Sequence, residues 1–254
     1  MIFKKISRNS RNQEIVNLLN HKWHSSMIIN NIKLFSQNVR KNKLLTDMIL
    51  ESNKDFDIIF IQELPWSFIQ SISSSSNEKG DSLVGASNHS NWVTFAKSPL
   101  NNNDSPRVIL YINAQLSYFR FSLQNDIYNH KDICCFFFFN NSDIFYMINV
   151  YSDSNQSALK YFKNTKANIQ NVLIMTGDFN IKDNNYDSLF LFHSIHSDLL
   201  TDIMDSLDLF LSNSTNQVPT RYSDNANDSN LVIDLTFLRP NSLEIDNHTI
   251  HPDL

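Results

Sequence analysis

The chain has 254 residues, of which 41% are apolar and 19% are charged, with a net charge of -5 and a mean hydropathy of -0.31. This length suits one domain with a sizeable core, and no apolar run approaches the roughly 20 residues needed to cross a bilayer. The basic N-terminus lacks the apolar segment of a signal peptide. These features argue against a membrane-spanning or secreted protein and favour one in the cytoplasm or nucleus.

The charges are distributed unevenly along the chain. Basic residues dominate residues 1–43, and acidic residues dominate residues 176–254. Such a division fits a protein that binds phosphates with one region and cations with another. A solvated surface of mixed sign explains the same distribution equally well, so charge alone does not decide the partner.

Hydrophobic periodicity divides the chain into an N-terminal appendage, residues 1–30, and one domain, residues 31–254. The predicted helices are Gln13–Trp23 in the appendage and Leu44–Glu51, Gln156–Asn168 and His196–Leu207 in the domain. The predicted strands are Ile32–Asn38, Phe56–Gln62, Asn91–Phe95, Val108–Ile112, Leu116–Phe121, Ile133–Phe139, Phe145–Tyr151, Val172–Thr176 and Leu231–Phe237, and Ser71–Asn77 is predicted to be a loop.

Many short strands with a few helices predict two packed sheets with helices outside them. No linker rich in proline or glycine divides the domain. The two cysteines, Cys134 and Cys135, are neighbours in a predicted strand and therefore point to opposite faces. We expect two buried free thiols rather than a disulfide.

Four predicted strands end in polar residues that a core would exclude. Oxygen ligands held on rigid strand ends suit Mg²⁺, which takes one or two carboxylates and otherwise keeps water or binds phosphate. Each of these residues taken alone is also explained by an ordinary turn or strand end. The residues are Asn38 and Arg40 in SQNVR, Glu63 after FIQ, Tyr151 in NVYSDSN, and Asp178 and Asn180 in TGDFN.

The segments QNVR, IIFIQE, NVYSDSN, LIMTGDFN and SNLVIDLTF follow one another in an order that resembles the endonuclease/exonuclease/phosphatase superfamily. The closest likeness is to the endonuclease domain of non-LTR retrotransposons, especially those of fungi, and it extends from Ile32 to Leu254. GDFN is the most specific segment. The resemblance implies a four-layer α/β sandwich of two mostly antiparallel sheets flanked by helices. It also implies a Mg²⁺-dependent phosphodiesterase that could accept Mn²⁺ and acts on DNA. We expect no membrane partner and favour a monomer, with the oligomeric state left open.

The resemblance also implies a role for each matching residue. Glu63 would be the principal Mg²⁺ ligand, with Asn38 beside it. Asp178 would orient or deprotonate the attacking water, and Asp234 would orient a catalytic histidine. Tyr151 and Asn180 would bind the phosphate, and Arg40, Thr220 and Arg221 would contact DNA. For Thr220 and Arg221 a plain surface turn is an equally good explanation.

The sequence departs from the family pattern at its end. Members of the family end with a Ser-Asp-His segment on a final strand, whereas this chain ends at NHTIHPDL, and His248 and His251 precede the expected position. We therefore expect a domain that lacks its final strand and an activity impaired by that loss. Two alternatives stay open: an inactive relic that still binds DNA or metal, and a phosphatase or lipid phosphodiesterase of the same fold.

Overall fold

A computed structural model of the chain describes eleven segments of the domain. They are residues 32–64, 70–72, 82–84, 89–96, 105–116, 121–123, 129–140, 143–165, 169–187, 192–212 and 232–240. The predicted N-terminal appendage and its helix lie outside these residues, as does any strand after residue 240. The expectations for both stay predictions.

The described segments contain twelve strands and three helices. The strands are β1 (Leu34–Asn38), β2 (Ile58–Gln62), β3 (Gln70–Ile72), β4 (Ser82–Val84), β5 (Trp92–Phe95), β6 (Val108–Asn113), β7 (Phe121–Leu123), β8 (Ile133–Asn140), β9 (Asp143–Tyr151), β10 (Val172–Asp178), β11 (Phe210–Leu211) and β12 (Asp234–Leu238). The helices are α1 (Lys43–Ser52), α2 (Ser157–Asn164) and α3 (Ile195–Leu207).

The strands form two large sheets and one small ribbon. Sheet I has the order β1-β2-β6-β5, sheet II has the order β11-β12-β10-β9-β8-β7, and β3 pairs with β4 alone. The pairs β1–β2 and β9–β10 are parallel, and the other pairs are antiparallel. The prediction of two mostly antiparallel sheets is therefore confirmed.

A buried apolar cluster lies between the two sheets and holds them together. Phe60 and Leu110 contribute from sheet I, and Phe136, Met147 and Ile174 contribute from sheet II. The rings of Phe60 and Phe136 lie 5.8 Å apart between their centroids. Burying one such side chain stabilises the fold by about 1.5–3 kcal/mol, so this interface contributes strongly to the attachment of sheet I to sheet II.

Helices cover the outer face of each sheet. Ile49 and Leu50 of α1 pack on sheet I, and the side chain of Asn42 caps this helix by accepting a 3.1 Å hydrogen bond from the backbone of Leu45. Helices α2 and α3 pack on sheet II through buried residues that include Leu159 and Leu200. The resulting order, helix, sheet, sheet, helix, is the four-layer sandwich that the resemblance implied.

The adjacent cysteines follow the alternation of their strand. Cys134 belongs to the cluster between the sheets, and Cys135 belongs to the cluster under α2 and α3. Both thiols are buried and free, as predicted. In the described part of the chain, no helix has the length and apolar character needed to cross a membrane.

Several predicted boundaries were wrong. Helix α2 ends at Asn164, before the predicted Asn168, because Thr165 adopts an extended conformation. Leu116, where a strand was predicted to begin, lies in a turn, residues 117–120 lie outside the described residues, and Phe121 belongs to β7. Ser71 and Ile72 were assigned to a loop but pair within the β3–β4 ribbon.

Candidate active site

Two parallel strands bring Asn38 and Glu63 to one edge of sheet I. Asn38 ends β1 opposite Gln62 of β2, and Glu63 follows directly. The carboxyl ends of parallel strands meet at the same sheet edge. Backbone hydrogen bonds continue past the strands, from Val39 N to Gln62 O at 3.0 Å and from Lys41 N to Glu63 O at 2.7 Å. The backbone of Glu63 is therefore held in place.

Three neighbouring strands of sheet II align Tyr151, Asp178 and Asp234 in one row. Asp178 on β10 stands opposite Tyr151 of the parallel β9 and opposite Asp234 of the antiparallel β12. The residue before Asp178 is Gly177, with φ of +149°. A Cβ at this position would lie 1.8 Å from the carbonyl oxygen of Val150. Only glycine therefore permits this close approach of β10 to β9 beside the row.

A hydrogen bond joins the two sheet edges. The Asn38 amide Nδ2 donates to Asp178 Oδ2 at 2.5 Å, across 140 positions of sequence. Asp178 Oδ1 accepts from the backbone N–H of Asn180 at 2.9 Å, and the Asn180 side chain donates to the carbonyl of Ser152 at 2.8 Å. Asn38, Asp178 and Asn180 thus form one connected network next to Tyr151 and Asp234.

The carboxylates of the site repel one another. Burial and the neighbouring charge of Asp234 raise the pKa of Asp178 well above its usual range, against the hydrogen bonds from Asn38 and Asn180, and Glu63 raises it further. Burial, followed by the charges of Glu63 and Asp178, raises the pKa of Tyr151 to about 12. The Tyr151 hydroxyl is therefore protonated at neutral pH and can donate a hydrogen bond.

The side-chain oxygens at the site are of the type that Mg²⁺ binds. The carboxylates of Glu63, Asp178 and Asp234 leave an excess of negative charge, against which Lys41 Nζ lies 4.0 Å from Glu63 Oε1. No three histidine, cysteine, aspartate or glutamate side chains of the described segments are spaced to enclose a metal ion by themselves. Mg²⁺ does not need such a cage, because it uses one or two carboxylates with water and phosphate. Glu63 and Asn38 supply oxygens of this kind.

The residues predicted to contact DNA place no described side chain in this hydrogen-bonded network. Arg40 is exposed beside Asn38, whose side-chain oxygen accepts a 2.8 Å hydrogen bond from the Arg40 backbone. Arg40 and Lys41 both have positive φ, 48° and 61°, so the chain turns sharply away from β1. Thr220 and Arg221 lie outside the described residues.

Sequence reasoning missed two groups of buried polar residues around the site. Gln62 and Asn149 are hydrogen bonded between the sheets, and Arg107 lies over the ring of Tyr151 with Asp132 as its partner. Arg107 and Asp132 each directly precede an apolar strand, where a charged residue is ordinary. Because their pairing depends on the fold, the sequence signalled only that they precede two apolar strands, which turn out to be the neighbours of β2 and β9 in the sheets.

Comparisons with known proteins support the fold. Residues 145–254 match the family model described as endonuclease-reverse transcriptase. The structure is similar to the endonuclease domain of TRAS1, a telomere-specific non-LTR retrotransposon, with a TM-score of 0.58, 15% identity, and coverage of 83% of this chain and 86% of that one. It is also similar to the AP endonuclease LMAP from Leishmania major, with a TM-score of 0.56, 12% identity, and coverage of 82% and 79%. No curated protein sequence is significantly similar.

At 12–15% identity these likenesses show a shared fold, and the family match covers residues 145–254. Proteins of the endonuclease/exonuclease/phosphatase superfamily are hydrolases that act on phosphodiester bonds, and endonucleases are among them.

Proposed function

We propose that this chain is a Mg²⁺-dependent phosphodiesterase that cleaves DNA, of the type found in the endonuclease domains of non-LTR retrotransposons. The observation that carries the proposal is the hydrogen bond from Asn38 to Asp178. It joins the edge of sheet I that bears Glu63 to the row Tyr151, Asp178 and Asp234 on sheet II. The similar fold of the TRAS1 endonuclease domain supports the same choice of substrate.

Glu63 and Asn38 would hold the ion with their side-chain oxygens. Asn38 is suited to this role because hydrogen bonds to Asp178 and from the Arg40 backbone fix its amide, and its oxygen keeps a second lone pair for the ion. When bound, the ion would stabilise negative charge on the phosphate oxygens. Glu63 has a φ of 55°, a left-handed conformation that its hydrogen-bonded backbone maintains.

Asp178 would accept the proton of the attacking water. Its raised pKa makes its carboxylate a stronger base than an exposed aspartate. The hydrogen bonds from Asn38 and Asn180 fix its orientation. Tyr151 and Asn180 would donate to phosphate oxygens without adding negative charge near an anionic substrate, and Asp234 would orient a histidine.

Cationic groups beside the metal site would bind the DNA backbone. Arg40 is exposed next to Asn38, and Lys41 follows it in the same turn. Contacts between such side chains and phosphates position a duplex without reading its sequence. Thr220 and Arg221 are proposed for the same task on the grounds of the resemblance alone.

The direct test is nicking of supercoiled plasmid in the presence of Mg²⁺. We expect Glu63→Gln and Asp178→Asn to lower the nicking rate by at least about a hundredfold. Asp202→Asn is the matched control, because Asp202 is an exposed aspartate on α3 that pairs with Lys163. Equal rates for wild type and Glu63→Gln would refute the proposal.

The same assay separates the alternatives. Metal-dependent DNA binding without nicking would favour a relic. Hydrolysis of inositol phosphates or sphingomyelin, with DNA left intact, would favour the phosphatase or lipid alternative.

A further inference from the structure

Arg107 lies against the ring of Tyr151. Its guanidinium carbon is 4.6 Å from the centroid of the ring, within the range of a cation–π contact. Tyr151 is 8% exposed, and within the described segments its hydroxyl has no hydrogen-bond partner. Packing on the ring therefore contributes to the direction of the phenol.

Two carboxylates hold the guanidinium in a fixed plane. Arg107 donates from Nε and Nη2 to the two oxygens of Asp132, which is fully buried, and from Nη2 to Asp153 Oδ2 at 3.2 Å. Asp153 is in turn anchored to the start of α2 by the backbone and the hydroxyl of Ser157, both at 3.0 Å. A planar fork bound at two acids cannot rotate freely.

Backbone hydrogen bonds also connect Arg107 and Asp132 to the two sheet edges that form the site. The carbonyl of Arg107 accepts a 3.3 Å hydrogen bond from Leu64, the residue after Glu63. The carbonyl of Asp132 accepts a 3.0 Å hydrogen bond from the N–H of Tyr151. Arg107 therefore contacts the segment that carries the proposed metal ligand and the side chain of the proposed phosphate donor.

We propose that Arg107 is a positioning residue that holds the Tyr151 hydroxyl toward the phosphate site, an inference that rests on the proposed function. Two carboxylates already neutralise its charge, and its side chain is only 12% exposed. Arg107 is therefore poorly placed to bind a phosphate itself and acts through the ring.

The substitution Arg107→Lys distinguishes the positioning of the Tyr151 ring from the effect of the positive charge. Arg107→Lys keeps the positive charge beside Asp132 but removes the flat fork and the face that covers the ring. We expect kcat for plasmid nicking to fall by roughly ten- to a hundredfold with KM unchanged. In a Tyr151→Phe background the same substitution should have little further effect, because the hydroxyl to be positioned is gone.

Arg239→Lys is the matched control. Arg239 is a partly buried arginine hydrogen bonded to Asn171, at the end of β12 remote from Asp234. We expect it to lower thermal stability about as much as Arg107→Lys while leaving kcat unchanged. Equal losses of kcat from Arg107→Lys in the wild-type and Tyr151→Phe backgrounds would overturn the proposal.

A second measurement does not depend on activity. In protein labelled with ¹³C-tyrosine, Arg107→Lys should move the ring signals of Tyr151 toward those of a free tyrosine and leave those of Tyr146, on the same strand, in place. This shift in a protein that cleaves no DNA would refute the proposed function but retain the placement of the ring. Unmoved Tyr151 signals would refute the placement itself.

Discussion

Gln62 and Asn149 form a hydrogen bond that crosses the core between the two sheets, from Gln62 Nε2 to Asn149 Oδ1 at 2.6 Å. Asn149 also donates to the carbonyls of Ile61 and Ile109 on sheet I, at 3.1 and 3.0 Å. Gln62 directly precedes Glu63, and Asn149 is two residues before Tyr151. This buried bridge therefore fixes the separation of the strands that carry the proposed metal ligand and phosphate donor.

The first prediction concerns this bridge. Asn149→Leu leaves several buried groups without a partner and should lower the free energy of unfolding by about 2–4 kcal/mol. Gln62→Leu should cost less, because it also removes a buried oxygen, Gln62 Oε1, that has no hydrogen-bond partner among the described residues. In the double variant the loss should be smaller than the sum of the single losses, as measured by urea denaturation. Strictly additive losses would show that the two amides do not depend on each other.

The second prediction concerns Gly177→Ala. The added methyl group would overlap the carbonyl of Val150, and φ of +149° is strained for alanine. Together these effects should lower the free energy of unfolding by about 3 kcal/mol or more. Circular dichroism during thermal unfolding measures the loss, and a variant as stable as wild type would contradict this account of β10.

The fold could be predicted wherever a segment has a clear local hydrophobic pattern. Long apolar runs such as Ile133–Asn140 were located within a residue or two, because their alternation or continuity is local information. The two-residue strand β11 and the ribbon strand β4 were missed, since such short edges have no period to detect. The candidate site was proposed from the order of its motifs and stays a prediction. The Arg107–Asp132 pair was not predicted, because a partner 25 residues away is decided by tertiary structure.

The third prediction is a pH dependence of stability in metal-free protein. The pKa of Asp178 in the folded state lies above its unfolded value of about 3.9. Between these two values the folded state binds more protons, so the contribution of Asp178 to the free energy of unfolding falls as pH rises. Asp234→Asn removes a neighbouring charge and should reduce this fall, whereas Asp202→Asn should not. Denaturant titrations between about pH 4.5 and 8 give the free energy of unfolding of each variant. Identical slopes of this free energy against pH for wild type and Asp234→Asn would contradict the prediction.

The fourth prediction concerns Mg²⁺ and stability. An ion that binds only the folded protein raises the free energy of unfolding by about 2.7 kcal/mol at a concentration one hundred times its Kd. We expect Mg²⁺ to raise the Tm of wild type and of Asp202→Asn, but not of Glu63→Gln. A full Mg²⁺ shift in Glu63→Gln would assign the ion to other ligands.

The fifth prediction concerns Arg40 and DNA. If Arg40 binds one phosphate, Arg40→Ala should weaken binding similarly for all DNA sequences and reduce the slope of log Kd against log salt by about one. Lys33→Ala is the control, because Lys33 precedes β1 at the end opposite Asn38. Fluorescence anisotropy over a range of salt gives both slopes, and equal slopes for wild type and Arg40→Ala would remove Arg40 from the interface.

The left-handed residues around the site have a consequence for evolution. Arg40, Lys41, Glu63 and Asn180 all have positive φ without being glycine, with values from 48° to 61°. Each such conformation opposes folding by about 1–2 kcal/mol for an ordinary residue. In a lineage selected only for heat tolerance, substituting glycine at these positions would be a simple way to raise thermal stability. Selection of that kind would erode the candidate catalytic centre while the surrounding scaffold became more robust.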